Sequence, residues 1–279
     1  MPDTMDGGKL AGDREFALAL ARAFAGAVIF AFPLLMTMEM WWLGFYMDPI
    51  RLSLFLVLSI PVLMGLSYYS GFRRTFSWWE DLTDALGAFA VGAVASALLL
   101  AVFGIIVASD SLREIVGKIA IQTVPAAIGA MLARKQLGRS SKNEEQNKAE
   151  ATYFGALFLM MAGALFVAFN VAPTEEMVLI AYKMTPWHGI ALILGSVLML
   201  HAFVYGVGFI GQERASDGSF LSIFLRFTVA GYGVALIVSL YVLWTFGRLE
   251  GLEPSQIVMP TVVLGFPAAL GAATARLIL

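Results

Sequence analysis

Eight long apolar stretches constrain this chain more than any other feature it has. They fall near residues 16–43, 52–72, 82–107, 115–133, 151–172, 189–211, 220–246 and 257–279. A helix rises about 1.5 Å per residue and a bilayer's hydrocarbon core is about 30 Å thick, so roughly 20 residues suffice to cross it. Lipid cannot satisfy unpaired backbone groups, and the stretches are too long and too uniformly apolar for barrel strands. Each is therefore expected to be a transmembrane helix. Composition agrees, with 59% hydrophobic and 14% charged residues and a mean hydropathy of +0.81. The expected fold class is an all-α integral membrane protein with eight transmembrane helices.

The chain also repeats itself. One shift lays Ala25-Gly26-Ala27 on Ala162-Gly163-Ala164, Phe32 on Phe169, Thr37 on Thr174, Glu39-Met40 on Glu176-Met177 and Pro49 on Pro186. A slightly longer shift lays Pro125-Ala126-Ala127 on Pro267-Ala268-Ala269, Gly129 on Gly271 and Arg134 on Arg276. These blocks read as two copies of one four-helix unit. An even number of spans makes the copies parallel, with a pseudo-two-fold axis along the membrane normal. The expected organisation is a tail over 1–15, repeat 1 over 16–134, a polar linker over 135–150 and repeat 2 over 151–279.

The tail lacks the basic region and cleavage site of a secretory signal, and reads as a mobile segment. With the N-terminus in the cytoplasm, the outer segments carry only Arg51, Arg113, Lys118, Lys183 and Arg248, and the other lysines and arginines lie inside. That asymmetry follows the positive-inside rule and puts both termini in the cytoplasm. The linker KQLGRSSKNEEQNKAE is too polar to bury a core, and its glutamates dilute any basic patch for lipid headgroups. The polar run after Phe209 reads as a longer loop in the second copy.

The strongest chemical candidate is the repeated Thr-x-Glu-Met: Thr37 and Glu39, then Thr174, Glu175 and Glu176. A carboxylate at the edge of hydrocarbon is costly unless paired, protonated or hydrated, so the two copies are candidates for a shared cation or proton site. The plainer reading makes Thr37 and Thr174 helix N-caps, with the glutamates favoured by the helix dipole. Each motif precedes a short apolar segment and a proline. Those segments are either short re-entrant or interfacial helices, with Trp41, Trp42 and Tyr46 as interfacial aromatics, or continuations of long tilted spans.

The second motif, with Pro125 and Gly129 in one copy and Pro267 and Gly271 in the other, suits a helix that bends and lets a neighbour approach. Close packing and a moving gate both fit it. Gln122, Thr123, Ser59, Ser96, Ser196, Ser239, Tyr68, Tyr205, Asn170 and His201 are expected to bond across to neighbouring helices. No cysteine is present and the two histidines, His188 and His201, sit on one helix, so no cofactor, haem or metal site is expected. No nucleotide-binding loop, nucleophile elbow or HExxH pattern occurs, so neither an enzyme nor a nucleic-acid binder is expected.

The segment Phe32-Pro33-Leu34-Leu35-Met36-Thr37-Met38-Glu39-Met40-Trp41 and the Pro-Ala-Ala-x-Gly-Ala segments resemble a family of bacterial inner-membrane proteins built from duplicated multi-helix units. The resemblance implies a bacterial inner-membrane location and the eight-helix layout, and supplies no substrate or site residue. The leading expectation is a small cation or proton channel or transporter with a paired-carboxylate site near the outer face. The alternative is a non-transporting structural or regulatory protein that binds a lipid or protein partner. Expected partners are the lipid bilayer, a small cation or proton, and further copies of the chain.

Overall fold

A computed structural model describes residues 3–70, 77–136, 153–207 and 220–278. All regular structure among them is helical: α1 (Asp3–Leu35), α2 (Met38–Tyr46), α3 (Pro49–Ser70), α4 (Trp78–Val102), α5 (Leu112–Gln136), α6 (Tyr153–Val171), α7 (Glu175–Lys183), α8 (Pro186–Val207), α9 (Phe220–Ile223), a π-helical segment (Phe224–Val229), α10 (Ala230–Thr245) and α11 (Pro254–Ile278). Eight helical stretches are long and apolar enough to cross a membrane. Most of the linker expected over 135–150 and the loop after Phe209 lie outside the described residues.

Several boundaries differ from expectation for local reasons. Helix α1 begins at Asp3 rather than after Glu15, since a helix propagates easily into a flank without proline once the span has nucleated it. The first span, expected to reach Leu43, ends at Leu35. Helix α4 starts at Trp78, ahead of the expected start at residue 82. Ser77 caps it, its hydroxyl oxygen accepting from the Trp79 amide at 3.3 Å, and Glu80 completes the Ser-x-x-Glu capping pattern.

The described residues form two compact units. One draws on 1–36 and 56–139, the other on 37–55 and 140–279. Their boundary therefore does not follow the repeat: the first Thr-x-Glu-Met, α2 and the opening turns of α3 belong with the second copy's helices. Within the first unit α1, α4 and α5 pack together, and within the second α6, α10 and α11 do so.

Each unit is closed by the same backbone approach. In the first, a Cβ on Gly26 would lie 2.5 Å from the Gly129 carbonyl oxygen, and one on Gly129 would lie 2.6 Å from the Gly26 carbonyl oxygen. In the second, Gly163 and Gly271 face each other's carbonyls just as closely, and a Cβ on Gly163 would lie 2.9 Å from that of Ala275. The two repeated motifs of the sequence are thus partners in one helix crossing. Lipid tails are as apolar as the helix surfaces, so close van der Waals fit, rather than expulsion of water, holds such a crossing. Pro125 and Pro267 lie inside unbroken helices.

Two further features recur. Helix α4 ends in a Schellman turn, with Gly104 at φ 68°, its amide donating to Ala101 and that of Ile105 to Leu100; α10 ends identically, with Gly247 at φ 72° and amides of Gly247 and Arg248 donating to Trp244 and Leu243. The phenylalanine before each glycine meets one from α1 or α6: Phe103 with Phe32 at 6.5 Å between centroids, and Phe246 with Phe169 at 6.2 Å.

Most intramembrane hydroxyls do not bond to neighbouring helices as expected. Ser59, Thr123, Ser196, Ser239 and the amide of Asn170 donate instead to carbonyls three or four residues back on their own helices. Short side chains reach that carbonyl more easily than any across a helix gap. Gln122 and His201 do reach across, to the Leu34 carbonyl at 3.4 Å and the Thr228 hydroxyl at 2.9 Å. The Tyr205 side chain lies outside the described residues.

Replacing Gly271 by valine should destabilise the protein by about 1–3 kcal/mol through overpacking. Gly87→Ala, where an added Cβ meets nothing within 4 Å, should leave stability unchanged or raise it. Thermal unfolding in detergent measures both, and equal effects would contradict the crossing. Gly247→Ala should lose about 1–2 kcal/mol, because its left-handed backbone disfavours a Cβ.

Candidate functional site

Both Thr-x-Glu-Met motifs open short helices after a break in the chain. In the first, α1 stops at Leu35, and Thr37 turns the backbone extended (φ −99°, ψ 123°) before nine-residue α2. In the second, α6 stops at Val171, and Thr174 (φ −72°, ψ 143°) precedes nine-residue α7. Each threonine thus stands at the N-cap position, but neither side chain makes the capping bond. The Thr174 hydroxyl donates back to the Val171 carbonyl at 2.9 Å instead. Separate short helices, rather than continued long spans, follow the breaks.

Glu39 lies in the first turn of α2 and Glu175 and Glu176 in the first turn of α7, where the helix dipole favours negative charge. Glu39 is half-buried; Glu175 and Glu176 are exposed. Among the described residues none of the three carboxylates takes part in a hydrogen bond or ion pair. Behind them Met40 and Leu43 of α2, and Met177 and Ala181 of α7, are buried, which fixes the face each short helix turns inward. Met38, Trp42, Phe45 and Tyr46 are exposed on α2.

The next helices are capped by different chemistry at equivalent places. Asp48 Oδ1 accepts from the amides of Ile50 at 2.9 Å and Arg51 at 3.1 Å to open α3. Before α8, Thr185 contacts His188 Nδ1 through its hydroxyl, at 2.7 Å, and its amide, at 3.3 Å. Pro49 and Pro186 occupy the first helical position in each, where a missing N–H costs nothing.

Sequence reasoning missed what ties these segments into the second unit. Arg51 pairs with Glu250 at 2.6 Å, donates to the Trp244 carbonyl at 3.3 Å and lies 5.3 Å from the centre of the Trp244 ring. Arg248 donates to the carbonyl of Pro173, the residue before Thr174. Phe55, Phe169 and Phe246 form a buried cluster with centroids 5.3, 6.0 and 6.2 Å apart. The only sequence signal for this cluster was the repeated Phe32 and Phe169. In the first unit the matching pair, Phe32 and Phe103, stays exposed.

Of the expected site residues, Thr37, Glu39, Thr174, Glu175 and Glu176 therefore fall in one compact unit. Pro267 and Gly271 fall in it too, but Gly271 packs against Gly163, about 12 Å along α6 from its last residue. Pro125 and Gly129 lie in the first unit, on α5. Among the cations expected on the outer side, Lys118 is also engaged, with Glu114 at 2.6 Å, Asp110 at 3.4 Å and the Ile105 carbonyl at 2.9 Å. Among the described residues no three His, Asp or Glu side chains converge as a metal site would require.

A family model described as "Putative integral membrane protein (DUF2391)" matches residues 19–279. No curated protein and no solved structure matches the chain. Nearly the whole length of the chain is covered by the family match, and with its eight membrane-length helices it belongs to the DUF2391 family of integral membrane proteins.

Proposed function

We propose that this protein is a small cation or proton channel or transporter, not an enzyme, in which Glu39 and Glu176 form an acidic site near the outer face of a bacterial inner membrane. Both termini are cytoplasmic in this reading, and the two repeats run parallel about an axis along the membrane normal. The observation that carries it is the grouping of both motifs in one compact unit, with their glutamates uncommitted among the described residues. Other acids are used structurally: within the second unit Asp48 caps α3 and Glu250 pairs with Arg51, and within the first Asp110 and Glu114 hold Lys118. A glutamate kept at a broken helix end without such a task is suited to a mobile ion, because the dipole and interfacial water stabilise its charge without tying it to a fixed cation.

A second reading, a structural or regulatory protein that binds lipid or a partner, is favoured by exposed Trp42, Phe45, Tyr46 and Trp187. Flux into proteoliposomes separates the two. The wild-type protein should dissipate a proton or alkali-cation gradient, and the combined Glu39→Gln and Glu176→Gln variant should lose at least about tenfold of that flux, equivalent to about 1.4 kcal/mol in the barrier. A folded double variant that conducts like wild type would remove these glutamates from the pathway. No flux from the wild type under any gradient, together with a partner or lipid recovered by crosslinking at Trp42 or Tyr46, would favour the second reading.

A further inference from the structure

Deep in the first unit, two polar side chains have unmet hydrogen-bonding capacity. Gln122 of α5 and Ser96 of α4 are both fully buried, and Gln122 Oε1 and Ser96 Oγ are without a partner. The other end of the Gln122 amide donates to the Leu34 carbonyl of α1 at 3.4 Å, so this side chain is held between helices.

The helix contacts bring these groups to one level. A Cβ on Gly92 would lie 2.8 Å from both the Thr123 carbonyl oxygen and the Ala127 amide, which fixes where α4 crosses α5. The two helices are joined by the short segment 103–111 and run antiparallel. Ser96, one turn beyond Gly92 on the same buried face of α4, therefore stands level with the α5 turn from Ile119 to Thr123 that carries Gln122.

The second unit shows that this is not a requirement of the fold. At the position equivalent to Ser96, Ser239 satisfies itself on the Ala235 carbonyl at 2.7 Å; at that of Gln122 stands Leu264, fully buried. The same crossing is thus built once with a leucine and a self-satisfied serine, and once with an amide oxygen and a hydroxyl that have no partner. Buried polar groups left without partners are strongly disfavoured, and a buried water characteristically bridges groups of this kind.

We propose that Gln122 and Ser96 form a binding site for one water-sized hydrogen-bonding ligand, water itself in the resting protein, enclosed by α1, α4 and α5. The ligand donates to Gln122 Oε1 and accepts from, or donates to, the Ser96 hydroxyl. The site belongs to the first unit alone and does not depend on the roles of Glu39 and Glu176.

The test is a high-resolution structure of the full chain in a lipid nanodisc, combined with a double-mutant cycle in melting temperature. Density should appear within about 2.6–3.2 Å of both Gln122 Oε1 and Ser96 Oγ and vanish in Gln122→Leu, the residue used by the second unit. Ser96→Ala should add no further shift once Gln122→Leu is present, because either change removes the shared ligand. Additive shifts, or no density there in a map that resolves other waters, would overturn the proposal. If Gln122→Leu does not fold, the wild-type density decides alone.

Discussion

Two helices bring their backbones into contact most closely where glycine meets glycine, and both units depend on that constraint. Gly26 against Gly129, and Gly163 against Gly271, place carbonyl oxygens where any Cβ would have to lie. In lipid, where apolar surface gains little from hiding against other apolar surface, this fit supplies what water supplies in a soluble core. The alanines around it, from Ala126 to Ala133 and from Ala268 to Ala275, are nearly all fully buried, so the crossing extends over several turns.

A tight crossing leaves the helix ends as the places where chemistry can vary. Helix ends leave backbone groups without intrahelical partners, and several are met differently: by side-chain oxygens of Ser77 and Asp48, and by Schellman turns at Gly104 and Gly247. The Thr-x-Glu breaks are the exception. There the threonines take the capping backbone without the capping bond, and the glutamates stand in the first turn with no fixed cation among the described residues.

Much of the fold was legible because its causes are local or periodic. Apolar runs of bilayer length give spans, and the glycines of the matched Ala-Gly-Ala and Pro-Ala-Ala-x-Gly blocks mark where helices touch. The break at Met36 and Thr37 was harder to read, since Met38 to Tyr46 is as apolar as the span before it and only the backbone at Thr37 distinguishes them. Ser77-x-x-Glu80 was a readable cap, obscured because Trp78 and Trp79 sit just after it. For the candidate site, the glutamates were legible as repeated charges in apolar surroundings. Their neighbours were not, because Arg51 and Glu250, or Phe55 and Phe246, are nearly two hundred residues apart in the chain.

The sequence by itself determined the membrane class, the approximate spans and the residues at which helices could touch, since each follows from side-chain size or polarity along a single helix. Only the tertiary structure decided which copy each segment joins. Thr37 to Phe55 falls in the first block by sequence order but in the second unit by packing, because Phe55 enters the Phe169–Phe246 cluster and Arg51 reaches Glu250. It also decided that equivalent positions part ways: Ser239 bonds to its own helix while Ser96 does not, although the residue type is the same.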